Sequence, residues 1–255
     1  MQKRPLLLLT NDDGYDAKGL ASLVDMLRDF ADLVVVAPDG PRSAQANAIT
    51  VVTPIRIWKL EEQDGLVRYK CSGTPADCVK IALYALLPKK PDMLIAGINH
   101  GTNTSVNVIY SGTMGAVMEG CTEQFPAIGF SLDSHDPNAN FEPCRAHIRK
   151  MVQKALSEGL PEGVCLNVNF PVREIFKGVR VVRQCRGRWN ERYVHRKDPS
   201  GRDYYWLTGE FLNYEPDATD TDEAVMKAGY VSVVPCQIDL THKDSILKLE
   251  SWNGN

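Results

Sequence analysis

The stretch that most constrains this chain is Leu6–Gly14, where four leucines run directly into an acidic turn. Consecutive leucines are typical of a strand that is buried on both faces of a parallel sheet. Asn11, Asp12 and Asp13 follow at once, and adjacent carboxylates repel each other when they are partly buried. A hard divalent cation relieves that repulsion because it prefers oxygen ligands. The sequence therefore predicts a metal site at the carboxyl end of a first strand, the edge at which open α/β sheets bind ligands.

The composition is that of an ordinary globular protein, with 255 residues, 44% of them hydrophobic, enough for one large α/β domain. A formal net charge of −3 does not suggest binding to a nucleic-acid polymer. No run approaches about 18 apolar residues, so we expect no membrane span. Seven scattered cysteines without a CxxC pair predict free thiols and a cytoplasmic location, rather than a disulfide framework or a zinc site.

Predicted strands and helices alternate through the first two thirds of the sequence. The predicted strands are Leu6–Thr10, Leu33–Ala37, Val51–Leu60, Asp92–Ala96, Ala127–Ser131 and Val164–Val168. The predicted helices are Ala17–Phe30, Thr74–Ala85, Gly115–Thr122 and Cys144–Glu158. This alternation predicts an α/β fold with a mostly parallel, doubly wound sheet and helices on both of its faces.

The last third of the sequence changes character and becomes rich in short β segments. The segments Val179–Cys185, Tyr193–His195 and Tyr204–Thr208 predict a hairpin extension, which either packs on itself or makes a subunit contact through its aromatic residues. A short helix over Ala218–Ala228, capped by Thr219 or Asp220, and a strand over Tyr230–Val234 follow. We expect a single domain over residues 1–255, with a core at about 1–178 and an arm with closing elements at about 179–255.

Polar clusters follow three of the predicted strands. They are Asn11–Gly14, the loop that contains Arg42 and Ser43, and the segment Gly97–Asn103 with its Asn99 and His100. Each cluster alone is typical of a turn, but the ends of parallel strands lie at one edge, so the three can form a shared site. Their oxygen-rich side chains favour magnesium, manganese or calcium over zinc or copper. The single His100 remains either a ligand, a general acid or neither.

A fourth cluster, Tyr110–Gly115, leads into a predicted helix. Hydroxyls and glycines before a helix N-terminus are typical of an anion site, because free N–H groups point outward there. The chain contains neither GxGxxG nor GxxxxGK[ST], which disfavours dinucleotide binding and P-loop chemistry. A phosphate loop beside an oxygen-ligated metal predicts phosphoryl transfer or hydrolysis.

These motifs together, in this order, resemble the SurE family of 5′/3′-nucleotidases. The segments that carry the resemblance are TNDDG, VVVAP followed by Arg42 and Ser43, CSGTPADC, AGINHGTN, YSGTMGAVMEG, LNVNFP and TDTDEAVMKAGYVSVVP. The resemblance covers nearly the whole chain. It implies a Rossmann-like core and a metal-dependent phosphatase of nucleoside monophosphates, with one Mg²⁺ or Mn²⁺ per subunit and assembly through the arm into homodimers or homotetramers.

The resemblance also implies roles for individual residues. The metal ligands are Asp12, Asp13, Ser43 and Asn99; Asn11 joins the two aspartates in the catalytic site; Asn99, Ser111, Gly112 and Thr113 bind substrate phosphate. The GTPADC segment resembles the nucleoside-side wall. Ala44, Ala96 and Ser105 stand where the family often has glycine, serine and glycine, and these departures bear on substrate preference more than on catalysis.

Several alternatives stay open at this level. Asp12 is either a metal ligand or a covalent nucleophile of the aspartyl-phosphate kind, and the adjacent pair favours the ligand. The chain is alternatively an exopolyphosphatase or another metal-dependent phosphohydrolase. A further alternative is that the chain is a non-catalytic nucleotide-binding protein, because fold does not fix function.

Overall fold

The computed structural model describes residues 4–253, in which β-strands and α-helices alternate. The strands are β1 (Leu6–Thr10), β2 (Asp32–Pro38), β3 (Ile57–Gln63), β4 (Leu66–Cys71), β5 (Met93–His100), β6 (Ala127–Leu132), β7 (Val164–Phe170), β8 (Val179–Val181), β9 (Gly187–Lys197), β10 (Asp203–Asn213) and β11 (Val231–Gln237). The helices are α1 (Lys18–Leu27), α2 (Pro75–Ile81), α3 (Gly112–Thr122), α4 (Arg145–Glu158), α5 (Asp222–Lys227) and α6 (Lys243–Lys248).

Nine strands form the main sheet, in the order β3-β4-β2-β1-β5-β6-β7-β11-β8. The central strands β4, β2, β1, β5, β6 and β7 are parallel, and β3 and β11 are antiparallel to their neighbours β4 and β7. Strand β1 lies in the middle, between β2 and β5. The predicted α/β class with a mostly parallel sheet is therefore confirmed.

The leucines of β1 explain why the sheet has a core on each face. Leu7 and Leu9 pack into the cluster that contains α1 and α4, whereas Leu8 packs into the cluster that contains α2 and α3. All three side chains are fully buried. Because successive strand residues point to opposite faces, an unbroken apolar run is what a strand covered on both sides requires.

Two local features fix how helices join the sheet. Thr74 and Asp77 form a capping box at the start of α2, since the Thr74 hydroxyl accepts from the Asp77 N–H (3.1 Å) and the Asp77 carboxylate from the Thr74 N–H (2.9 Å). Gly19 in α1 approaches β5 so closely that an added Cβ would lie 2.0 Å from the Ile98 carbonyl oxygen. The predicted helix starting with Thr-Pro is confirmed, although after Ile81 it continues as a π-helical turn.

The predicted strand at Val51–Leu60 is only half right, because β3 begins at Ile57 and residues 51–56 are not in a strand. Strand β4 has no counterpart in the sequence prediction. Its middle residues Val67–Lys70 are half-buried and include two cations, so the strand lacks both the apolar run of a central strand and a clean alternation.

The strands after residue 178 belong to two different sheets. Strands β8 and β11 return to the main sheet, while β9 and β10 pair only with each other as a long antiparallel hairpin. The predicted hairpin extension is confirmed, but its strands are longer than Tyr193–His195 and Tyr204–Thr208, and the segment after Val181 is not a strand. Helix α5 is capped by Thr221, whose hydroxyl accepts from the Ala224 N–H, and not by Thr219 or Asp220.

Two predictions from composition concern the cysteines and membrane-spanning helices. All seven cysteines are free thiols, and six of them are buried. Within residues 4–253, no helix combines the length and the apolar character that crossing a bilayer requires.

Asp222, a buried carboxylate at the start of α5, joins three segments of the chain. Its oxygens accept hydrogen bonds from the backbone N–H groups of Ser105, Cys185 and Glu223, each at 2.8 Å. Cys185 lies at the root of the hairpin, and Ser105 follows the strand end of β5. Asp222 therefore ties the hairpin to the main sheet.

Replacing Asp222 with asparagine should destabilise the protein by about 1–3 kcal/mol, because an amide NH₂ cannot accept from the backbone donor that it would face. Equilibrium urea unfolding measures the change. Asp217→Asn, at an exposed position in the loop before α5, is the matched control and should shift stability by less than about 0.5 kcal/mol. Equal stability of the two variants would show that the hydrogen bond lost to the amide NH₂ contributes nothing.

Candidate active site

The carboxyl ends of β1, β2 and β5 meet at one edge of the sheet and open into a cavity of about 710 Å³. The cavity is lined by Asp12, Asp13, Ser43, Ala44, Asn99, His100, Asn103, Asn107, Tyr110, Ser111, His135, Trp189, Glu191, Leu207, Thr208 and Gly209. Its volume lies within the range of about 300–1,000 Å³ that small-molecule sites occupy. The three polar clusters that follow the predicted strands, at Asn11–Gly14, around Ser43 and at Gly97–Asn103, all contribute residues to this one cavity.

Asp12 is the most deeply buried charged group of the cavity, with 5% of its surface exposed. The Thr113 hydroxyl donates to its Oδ1 at 2.5 Å. Burial raises the pKa of Asp12 from 3.8 to about 6, and the neighbouring Asp13 adds to the rise, although the Thr113 hydrogen bond opposes it. In the absence of a cation, this carboxylate is thus held in an environment that disfavours its charge.

Asp13 is less buried and faces His100. The backbone N–H of His100 donates to Asp13 Oδ2 at 3.2 Å, while desolvation raises the pKa of this carboxyl. The His100 ring packs edge-on against Phe141, with centroids 5.1 Å apart, and burial lowers the pKa of the imidazole. His100 therefore contacts the acidic pair through its backbone, and its ring forms part of the cavity wall.

The loop after β2 is attached directly to the acidic turn, because the Arg42 N–H donates to the Asp12 carbonyl oxygen at 2.7 Å. This bond brings Ser43 to the cavity. Ala44 and Ser105 have φ angles of +59° and +50°. Glycine adopts that left-handed conformation without steric cost, so alanine and serine are strained at these two positions.

Helix α3 begins at the cavity wall. The Ser111 hydroxyl caps it by accepting from the Met114 N–H at 3.0 Å. Gly112 sits against Asp12, and a Cβ added there would lie 2.8 Å from Asp12 Cβ and 3.0 Å from Asp12 Oδ2. The helix starts three residues earlier than Gly115, the predicted first residue. Its free N–H groups and the acidic pair are therefore next to each other.

Gly112→Ala should lower the rate of any reaction at this site by about 10- to 100-fold, because displacing a reacting group by an ångström costs about that much. The added methyl would have to push the Asp12 carboxylate away from its position. Steady-state kinetics on the metal-loaded protein measure the effect. Gly40→Ala is the control, since a Cβ there would meet nothing within 4 Å; an identical loss in both variants would contradict the steric explanation.

The donor set at this edge fits a hard divalent cation. The carbonyl oxygen Asn11 Oδ1 is buried without a hydrogen-bond partner, while its Nδ2 donates to the Gly14 carbonyl at 2.9 Å. Asn99 Nδ2 likewise donates to the Gly101 carbonyl (2.8 Å), which leaves Asn99 Oδ1 as an acceptor. Within residues 4–253 no group of three or more His, Cys, Asp and Glu side chains is placed to hold a metal, so a cation here depends on hydroxyl and amide oxygens beside two carboxylates.

The predicted site residues fall into two layers. Those that line the cavity are Asp12, Asp13, Ser43, Asn99 and Ser111. Asn11, Gly112 and Thr113 are buried behind this lining, and Thr113 contacts the cavity through Asp12. The GTPADC segment does not line the cavity; its Thr74 and Asp77 instead hold residues 48–50, through hydrogen bonds to the Ala48 carbonyl and to Thr50.

Sequence reasoning missed the opposite wall of the cavity. Five of its residues come from the hairpin: Trp189, Glu191, Leu207, Thr208 and Gly209. His135, from the loop after β6, was also missed. The strand-end rule does not find the hairpin residues, because they lie on a separate sheet. It does apply to His135, which lies just beyond the carboxyl end of β6. For the hairpin residues the only available signal was the aromatic content of the hairpin.

Comparisons with known proteins identify the family and support the fold. Residues 7–191 match the family model described as survival protein SurE. The chain is 49% identical to a 5′-nucleotidase SurE of Phocaeicola vulgatus, over 99% of this chain and 98% of that protein. A 5′-nucleotidase SurE of Flavobacterium psychrophilum is 48% identical over 99% of both. The crystal structure of the SurE protein from Aquifex aeolicus superposes with a TM-score of 0.83 at 35% identity, covering 98% of this chain and 100% of that one.

Proposed function

The chain belongs to the SurE family, and from that membership and the cavity at the strand ends we propose that it is a metal-dependent phosphomonoesterase. It hydrolyses nucleoside 5′-monophosphates, and also 3′-monophosphates, to nucleoside and phosphate. The observation that carries the proposal is the acidic pair beside the N-terminus of α3, with Asp12 buried and Asp13 half-buried. One edge of the sheet thus offers oxygen ligands for a cation and N–H donors for a phosphate.

Asp12, Asp13, Ser43 and Asn99 would hold the cation, one Mg²⁺ or Mn²⁺ per subunit. Their oxygens suit a hard cation, and the raised pKa values of the two aspartates indicate a site built for added positive charge. When bound, the cation supplies Lewis-acid polarisation of the phosphoryl group and neutralises charge that develops on it.

The chain's own residues then bind and orient the substrate. The N-terminus of α3, at Ser111–Thr113, binds phosphoryl oxygens through backbone N–H groups and the helix dipole. Thr113 fixes the orientation of Asp12 through its hydroxyl, so it acts as a positioning residue. Asn11 fixes the acidic turn through its hydrogen bond to the Gly14 carbonyl. Asp12 serves as a ligand, not as a phosphorylated nucleophile, and trapping of a phosphoenzyme would contradict that assignment.

The cavity favours a nucleoside over a polyphosphate chain. Among the described residues that line it, none is a lysine or an arginine, and Glu191 adds a third acidic group to Asp12 and Asp13. A chain of phosphates leading away from the acidic pair would find no cationic partners there. A neutral nucleoside attached to a single phosphate carries no such requirement.

Three further properties belong to the same proposal. The chain is one domain, and its exposed hairpin aromatics, such as Tyr205 and Trp206, support homodimers or homotetramers, because aromatic residues are enriched at interfaces. The seven free thiols support a cytoplasmic location.

Phosphate release tests the proposal most simply. The purified protein is assayed with a panel of nucleoside monophosphates and with tripolyphosphate, after chelation and after return of Mg²⁺ or Mn²⁺. We expect metal-dependent release from monophosphates and little from tripolyphosphate. Release that persists without metal would overturn the metal dependence, and preference for tripolyphosphate would favour the exopolyphosphatase. Binding of monophosphates without release would favour the non-catalytic nucleotide-binding alternative.

A further inference from the structure

The end of the cavity formed by the hairpin is chemically unlike the metal end. Trp189 and Leu207 of the hairpin line it, together with Tyr110 at the end of the helical turn Ser105–Ile109. These three side chains are apolar or aromatic, and Glu191 is the acidic side chain that the hairpin adds to the same lining. With a cation held at Asp12 and Asp13, a ligand that spans the cavity would carry its anionic group there and a flat or apolar group at the hairpin.

Trp189 is held in place by contacts on two sides. Its indole N–H donates to Asn107 Oδ1 at 2.7 Å, across to the main body of the protein. Its ring meets Phe211, the residue opposite it on the hairpin, edge to face with centroids 6.1 Å apart. Despite these contacts 36% of the residue remains exposed. The indole is therefore oriented before a ligand arrives, and it keeps free surface on the cavity.

An oriented indole with free surface is what stacking on a nucleobase requires. Every base has a π-face, and stacking on an aromatic side chain contributes to binding without reading the base edge.

We propose that Trp189, oriented by Asn107, forms the base subsite of this cavity and binds the nucleobase by stacking. This inference rests on the proposed phosphomonoesterase activity, because it assigns the part of the substrate that lies away from the phosphate. Trp189 is thus a specificity-determining residue that acts on substrate binding and not on the transfer of the phosphoryl group.

The test compares AMP and GMP with ribose 5-phosphate, which has the same phosphoryl group and no base. We expect Trp189→Ala to lower the ratio of kcat/KM for AMP over ribose 5-phosphate by about tenfold, mostly through KM, as loss of one stacking contact predicts. Trp189→Phe keeps a ring and should lose about threefold. Asn107→Ala keeps the indole but removes the hydrogen bond that orients it, so it should also lower the ratio. This variant carries the test if Trp189→Ala does not fold.

Trp58→Ala is the matched control. Trp58 lies on β3, outside the cavity lining, and is 41% exposed, so the ratio should stay at the wild-type value. An unchanged ratio in Trp189→Ala, or an equal fall in Trp58→Ala, would overturn the base subsite. Wild-type protein that hydrolyses ribose 5-phosphate as efficiently as AMP would overturn it too, while leaving the phosphatase intact. Absence of release from every substrate would instead overturn the proposed function itself.

Discussion

Asp12→Asn should lower metal-dependent phosphate release from AMP by about 10³-fold, because it removes a proposed charged ligand at the point where phosphoryl charge would develop. The change is nearly isosteric, and the amide oxygen can still accept the 2.5 Å hydrogen bond from Thr113. The loss therefore reports charge and not a collapsed site. Initial rates at saturating Mn²⁺ measure it.

The control for this variant is Asp64→Asn, in the exposed turn between β3 and β4. This variant changes the net charge by the same amount, at a position distant in sequence from the acidic turn. Its rate should equal that of the wild type. If Asp12→Asn kept more than about a tenth of the wild-type rate, the carboxylate would contribute under ~1.4 kcal/mol to the transition state, and the proposed ligand set would be wrong.

The same substitution should stabilise the metal-free protein at neutral pH. The folded state raises the pKa of Asp12 from 3.8 to about 6, so it binds the proton more tightly than the unfolded chain does. The resulting stability is fully present below about pH 4 and is lost as the pH rises through about 6. The loss at pH 7 is about 3 kcal/mol from this one group, at ~1.4 kcal/mol per pKa unit.

Urea unfolding with chelator present, between pH 4 and pH 7, measures this effect. Asp12→Asn has no proton to lose, so its stability should vary less with pH, and at pH 7 it should exceed that of the metal-free wild type by up to about 3 kcal/mol. Added Mn²⁺ should stabilise the wild type far more than the variant. A variant that is less stable than the metal-free wild type at pH 7 would show that the buried charge costs nothing.

How far the sequence predicts this structure depends on how each segment is buried. The leucines of β1 are read correctly because burial on both faces demands an unbroken apolar run. Strand β4 is missed because Arg68 and Lys70 interrupt its apolar pattern. The hairpin strands are predicted too short because nearly all their residues are exposed, and a strand without a buried face has no hydrophobic period to detect.

The candidate site shows the same division. The polar residues at the ends of β1, β2 and β5 could be predicted, since topology alone brings the ends of parallel strands together. Ser43 was identified only through the family resemblance, because a hydroxyl in a loop carries no distinguishing pattern. Trp189 could not be predicted, because its place on the cavity depends on how the hairpin folds back, which Asn107 and Asp222 determine through contacts distant in sequence.

Anomalous diffraction from crystals grown with Mn²⁺ tests the central claim most directly, namely that the strand ends form a single metal site. We expect one manganese peak per chain within about 2.0–2.5 Å of oxygen atoms from Asp12, Asp13, Ser43 and Asn99. Crystals of Asp12→Asn grown in the same way should lose the peak or show it weakened. A peak ligated by other residues, or none at the acidic pair in the wild type, would contradict the account.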